Sequence, residues 1–202
     1  MIVTSIEKLD KKRSRVLLDQ DLALVLYPGD LRKFSLMEGS ELSKEAYERL
    51  LNQVIKPRAR ERLLKTLMVS DKTEKQLDDL LRREGYPADA IEDALEMVKK
   101  YHYIDDEAYA KRYIASQGKR KSRRQLMADM QKKGFDRDVI DKLLRENPVD
   151  EQAQIERYLA QKGITAGEEL SREDYGKLTG RLARKGYSYE SISKVLKREP
   201  FF

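Results

Sequence analysis

Three glycines, Gly85, Gly134 and Gly186, set a repeat that any fold of this chain must satisfy. They lie 49 and 52 residues apart, and an aromatic residue follows each: Tyr86, Phe135, Tyr187. Six residues beyond each glycine stands Ile91, Ile140 or Ile192, and ten beyond stands Leu95, Leu144 or Leu196. Eight and four residues before come Leu77 and Leu81, Leu126 and Met130, Leu178 and Leu182. Steps of four and eight return to one face of an α-helix, so each glycine separates two helices that carry apolar stripes. Thr73 with Gln76, and Ser122 with Gln125, read as capping boxes opening the first helix of two such pairs. Basic pairs (Arg82-Arg83, Lys132-Lys133, Arg184-Lys185) close that helix, where cations answer the negative end of its dipole and glycine supplies a left-handed stop. A binding role for the same pairs is compatible with this.

A further helix precedes each pair, carried by Leu63, Leu64 and Leu67, by Ala108, Tyr109, Tyr113 and Ile114, and by Ile155, Tyr158 and Leu159. The expected fold class is therefore mainly α: a tandem array of three three-helix repeats at 58–104, 105–148 and 149–202. In 202 residues, 39% charged against 40% hydrophobic demands a large surface, which suits thin stacked modules better than one thick core. The third repeat departs from the others. Its stretch KGITAGEELSRED is about seven residues longer than its counterpart, and Glu199-Pro200-Phe201-Phe202 is expected to cap the last core.

Residues 1–40 read differently, as a small antiparallel β segment. Ile2, Thr4 and Ile6 alternate, RSRVLL and LALVL flank a hairpin turn at Asp19-Gln20-Asp21, and Tyr27-Pro28-Gly29-Asp30 is a turn signal. Two or three strands alone are marginal in water, so the sheet is expected to pack on the first helices. Residues 41–57 read as a connecting helix capped by Ser43, and Lys56, preceding Pro57, is expected to be extended with a new helix starting at the proline.

There is no cysteine and one histidine, which excludes disulfides, thiolate zinc sites and a catalytic thiol. The opening MIVTSIEKLDKK has no apolar run of signal-peptide length, and no stretch reaches the ~18 apolar residues of a membrane span. A soluble, cytoplasmic protein with no membrane partner is expected.

No catalytic, cofactor-binding or metal-ligating set emerges. Asp105, Asp106 and Glu107 have no second carboxylate pair or histidine at useful spacing and read as a helix start. His102, between two tyrosines, reads as a packed or hydrogen-bonded side chain. Gly118-Lys119 is not a phosphate loop, because Tyr113 stands where that motif needs glycine and Arg120 where it needs Ser or Thr. A non-enzymatic protein without cofactor is expected.

The binding signal is charge. Net charge is +6 with pI near 9.2, and residues 105–148 hold 12 basic against 8 acidic side chains. Within them GKRKSRR places Lys119, Arg120, Lys121, Arg123 and Arg124 at a helix start, more cations than local partners can pair. With Lys111, Arg112, Lys132 and Lys133 these form the expected anion-facing surface, for nucleic acid backbone or an acidic protein.

Taken together, YHYIDDEAYAKRYI, SRRQLMADMQKKGFDRDVI and RARERLLKTLMVSDKTEKQLDDLLRREGY resemble the RecX family of regulatory proteins. Tyr103-Ile104-Asp105-Asp106, Ala108-Tyr109-Ala110 and the Leu126 to Lys133-Gly134 spacing carry the resemblance, which runs from about Arg58 to Arg198. It departs at Val69-Ser70-Asp71-Lys72, where the family often has an arginine-proline turn, so no binding arginine carries over to that place. The resemblance implies an elongated, curved monomer that binds the RecA recombinase filament on single-stranded DNA. It further implies inhibition of filament growth, ATPase, strand exchange and coprotease activity. Two other readings remain at this point: a stand-alone nucleic-acid binder with helix-turn-helix-like modules, and an adaptor unrelated to recombination.

Overall fold

The structure is a computed structural model that describes residues 1–19, 22–166 and 170–196. Two compact units divide the chain, Met1–Asp105 and Asp106–Phe202.

The first unit opens with strands β1 (Val3–Lys8), β2 (Ser14–Leu18) and β3 (Ala23–Leu26) in one antiparallel sheet of that order. The Leu18 amide donates to the Leu22 carbonyl at 2.8 Å and closes the β2–β3 hairpin; Gln20 and Asp21 of the expected turn lie outside the described residues. The alternation expected at Ile2, Thr4 and Ile6 is not what the sheet uses. Val3 pairs with Leu18 but Ser5 with Leu17, a bulge that inserts one extra residue. Because the bulge shifts the pleat, Val3 and Ile6, three apart, both meet the core, whereas Ile2 is half exposed.

The tetrapeptide Tyr27-Pro28-Gly29-Asp30 starts the short helix α1 (Pro28–Lys33) rather than a plain turn. The Asp30 carboxylate accepts from the Tyr27 amide at 2.9 Å and from both terminal nitrogens of Arg58 at 2.5 and 2.8 Å. That guanidinium also lies 4.5 Å from the Tyr27 ring centroid, tying α1 to the helix that follows.

Three segments, α2 (Lys44–Leu50), a π-helical turn Leu51–Ile55 and α3 (Lys56–Leu67), run on without a break. Ser43 caps α2 as expected, accepting from the Ala46 amide at 3.2 Å. Lys56 is helical (φ −57°, ψ −49°), not extended. Pro57 has no N–H to donate and its ring crowds the preceding turn; the widened π turn supplies the room and carries the helix across.

Helices α4 (Glu74–Arg83) and α5 (Ala88–Lys100) complete the unit. One core joins Val16, Leu24 and Leu26 of the sheet to Leu50, Leu63, Leu77 and Ile91 of the helices, so the sheet packs on the helices. The second unit holds α6 (Asp106–Gln117), α7 (Arg123–Lys133) and α8 (Arg137–Glu146), then α9 (Glu151–Ala160), α10 (Arg172–Arg184) and α11 (Tyr189–Leu196). Each triple has its own core.

The repeat is as the sequence laid it out. All twelve aliphatic or methionine side chains aligned on the three glycines are buried. Gly85, Gly134 and Gly186 sit at φ +82°, +86° and +84°. In each case the next amide reaches back five residues: Tyr86 to Leu81, Phe135 to Met130, Tyr187 to Leu182. That bond and the left-handed glycine form one helix stop used three times. His102, expected as a packed or hydrogen-bonded side chain, is exposed and fills the same left-handed place after α5 (φ +54°), with the Tyr103 amide bonding back to Val98. The cap expected from Glu199-Pro200-Phe201-Phe202 lies outside the described residues.

Gly85 has a second constraint. A Cβ there would lie 2.5 Å from Val25 Cγ2 on β3. Gly85→Ala is therefore expected to cost about 2–4 kcal/mol, combining left-handed strain with overpacking, whereas Val25→Ala in the same background restores part of the loss. Urea denaturation of the three proteins checks this; equal stability of Gly85→Ala and wild type would contradict it.

Candidate anion-binding surface

The loop between α6 and α7 is not a loose basic tether. Ser122, fully buried, caps α7: its Oγ accepts from the Gln125 amide at 3.3 Å and donates to the Lys185 carbonyl at 3.0 Å, just before Gly186. From α9, Gln154 Nε2 donates to the carbonyls of Gly118 (2.7 Å) and Lys121 (3.2 Å), and Arg157 Nη2 to that of Lys119 (3.2 Å). Glu151, only 8% exposed, accepts from the Arg123 amide (3.0 Å) and from the amide and hydroxyl of Ser188 (3.1 and 3.0 Å). The third repeat thus fixes the backbone of the basic loop by its own polar groups.

That framework sorts the nine expected cations. Lys121 is held inward by Asp129 Oδ2 at 2.5 Å and the Tyr113 hydroxyl at 3.2 Å. Arg123 donates to the Leu144 carbonyl at 3.0 Å and lies 3.6 Å from Asp141. Two of the five loop cations therefore find local partners and three do not, in line with the expectation that not all five could be paired locally. Lys133 stands over the Tyr109 and Tyr113 rings at 5.8 and 5.2 Å from their centroids. Lys111 pairs with Glu107 at 2.7 Å, one turn earlier on α6, and Arg112 is exposed on that helix. Lys119, Arg120, Arg124 and Lys132 are exposed, with no carboxylate partner among the described residues. Asp106 and Glu107 occupy the first turn of α6, as a helix start would place them.

Arg184, for which the sequence left a binding role open, was not placed in the expected surface. With Arg124, Gln125, Ala128, Ala183 and Gly186 it lines an open groove of about 530 Å³ between α7 and α10, a lining with no carboxylate. The basic pair Arg184-Lys185 before Gly186 was its only linear trace; the 60 residues separating it from Arg124 are closed only by folding.

The Lys121–Asp129 pair has a pH signature. The Lys121 ammonium beside it, against some desolvation, holds the Asp129 carboxyl below its ordinary range, and Asp129, then Tyr113, push Lys121 up. A depressed carboxylate contributes stability above its unfolded pKa of about 3.9 and loses it as pH falls through the folded value. A raised lysine contributes below about 10.4 and loses it as pH climbs through its own raised value. Asp129→Asn is thus expected to cost less than about 1 kcal/mol for so exposed a pair, by an amount flat between about pH 5 and 9 and shrinking in acid below about pH 4. Urea midpoints of both proteins across pH measure it; a difference that grows in acid would contradict the pairing.

Three-helix units closed by a left-handed glycine, two of them interlocked around a rigid cationic loop, define a tandem helical-repeat protein. The model described as "RecX, first three-helix domain" matches residues 59–96, and "RecX, second three-helix domain" matches residues 105–144. Regulatory protein RecX of Clostridium botulinum (strain Eklund 17B / Type B) is 29% identical over 196 residues, 95% of this chain and 92% of that protein. That of Caldanaerobacter subterraneus subsp. tengcongensis is 28% identical over 199 residues, 97% and 98% of the two chains. A crystal structure of regulatory protein RecX superposes with TM-score 0.61 at 23% identity, covering 98% of this chain and 99% of that one. RecX from Lactobacillus salivarius gives 0.58 at 21% identity, over 70% and 94%. At these identities the structures carry the fold. The chain belongs to the RecX family of regulatory proteins, a family of RecA regulators. No helix among the described residues is long and apolar enough to cross a membrane.

Proposed function

We propose that this protein is a non-enzymatic, cytoplasmic monomer that binds the RecA recombinase on single-stranded DNA and inhibits filament growth, ATPase and strand exchange. The observation that carries the reading is the pair of RecX three-helix domains at 59–96 and 105–144 within a chain alignable over nearly its whole length with regulatory RecX proteins. The surface supports it: Lys119, Arg120 and Arg124, with Lys132 and Arg184, offer positive charge to DNA phosphate or an acidic RecA face. Of the other expected cations, Lys111, Lys121, Arg123 and Lys133 make contacts within the second unit, and Arg112 is exposed on α6. Several separate contacts on one repeat array act together through effective concentration.

Filament assembly on single-stranded DNA, followed by light scattering, tests the proposal. Slower net growth on addition of the protein is the expected result. Growth at the unperturbed rate, together with tight, steeply salt-dependent binding to duplex DNA without RecA, would replace it with a stand-alone nucleic-acid binder.

A further inference from the structure

A groove of about 770 Å³ in the first unit opens between the end of α3 and the length of α4. Val69 lines it in the α3–α4 turn; it and the preceding Met68 are 84% and 86% exposed, more than any other large apolar side chains among the described residues. Adjacent apolar side chains left so bare in an ordered turn are a surface cost with no return inside the unit. Around them the lining is cationic. Arg62, Lys65 and Arg82 are satisfied by Glu84, Glu61 and Asp78 at 2.6–2.7 Å, and the lining's one carboxylate, Asp79, lies 3.3 Å from Lys75. Lys72 and Arg83 also face the groove and have no carboxylate partner among the described residues; Arg83 only donates to the Asp79 carbonyl at 3.1 Å. The part-buried Leu80 gives the floor an apolar spot.

We propose that this groove docks an acidic segment of a protein partner, one that carries an apolar side chain between or beside its carboxylates. Charge complementarity selects the acidic segment, through Lys72 and Arg83. The bare Met68 and Val69 select protein over nucleic acid, since a phosphodiester chain has no aliphatic group to bury against them. Met68, next to Val69 in the chain and exposed, suits such a role, because its unbranched side chain adapts to the shape it meets. The proposal rests on the RecA reading above, which makes RecA the partner.

The test is co-sedimentation of the full-length chain with RecA filaments on single-stranded DNA, alongside anisotropy of a labelled oligo(dT) without RecA. Met68→Ser/Val69→Ser and Lys72→Ser/Arg83→Ser are each expected to weaken filament binding at least tenfold and leave oligo(dT) binding and thermal unfolding unchanged, since all four side chains lie outside the core. Filament binding by both variants at wild-type strength would overturn the groove and leave the RecA reading standing. Loss of oligo(dT) binding in step with filament binding would assign the groove to nucleic acid and overturn the commitment to protein. Failure of the wild-type chain itself to sediment with filaments would remove the RecA reading and this proposal with it.

Discussion

Replacing Glu151 with alanine is expected to destabilise the second unit by about 2–4 kcal/mol, because a buried carboxylate that accepts charge-assisted hydrogen bonds disappears from among its donors. The Arg123 amide belongs to the first turn of α7 and has no intrahelical acceptor; without Glu151 it is left unsatisfied at a part-buried site. The amide and hydroxyl of Ser188 lose the same acceptor at the start of α11. The loss therefore falls on two helix starts from different repeats at once. Glu151→Gln keeps one acceptor oxygen and is expected to lose about half as much. Urea denaturation followed by circular dichroism separates the cases, and a change below about 0.5 kcal/mol for Glu151→Ala would mean the junction does not depend on this side chain.

The second large effect is on binding. Lys119→Ser/Arg120→Ser/Arg124→Ser removes the loop cations that the fold does not use, so stability should hold within about 0.5 kcal/mol. Affinity for RecA–single-stranded DNA filaments is expected to fall by about ten- to a hundredfold near 0.1 M salt, with the salt slope lower by about 0.7 for each phosphate no longer neutralised. Filament co-sedimentation at several salt concentrations reads both. An unchanged affinity would take the loop out of the mechanism. The complementary pair Lys121→Ser/Arg123→Ser should behave the other way, costing stability first, because Asp129, Asp141 and the Leu144 carbonyl lose their partners.

These two variants mark where the linear sequence stops being informative. The helix pairs, their apolar faces and their stops were legible because each signal is local. A glycine that must adopt φ near +85° and a hydroxyl three residues before a glutamine describe their own turn of backbone. The bulge after Val3 was not legible, since one inserted residue reverses the inward set without altering composition. Nor was the continuity through Pro57. Local preference alone puts Lys56 in an extended state, and it is overruled by the π turn and by Arg58 anchoring to Asp30. In the candidate surface, the string GKRKSRR gives five equal charges. Only the fold distinguishes Lys121 and Arg123, turned to partners at 129, 141 and 144, from Lys119, Arg120 and Arg124, and only the fold brings Arg184 beside Arg124. Glu151 was hidden for the same reason: beside Asp150 it reads as another acidic residue opening a helix, and its second partner, Ser188, lies 37 positions away.

The steady-state ATPase of RecA on single-stranded DNA, titrated with the purified full-length chain, puts the regulatory reading to its most direct test. Hydrolysis should decline progressively as the protein is added, and Lys119→Ser/Arg120→Ser/Arg124→Ser should require at least tenfold more protein for the same decline. Hydrolysis that stays at its starting rate under a large excess of folded wild-type chain would contradict the account.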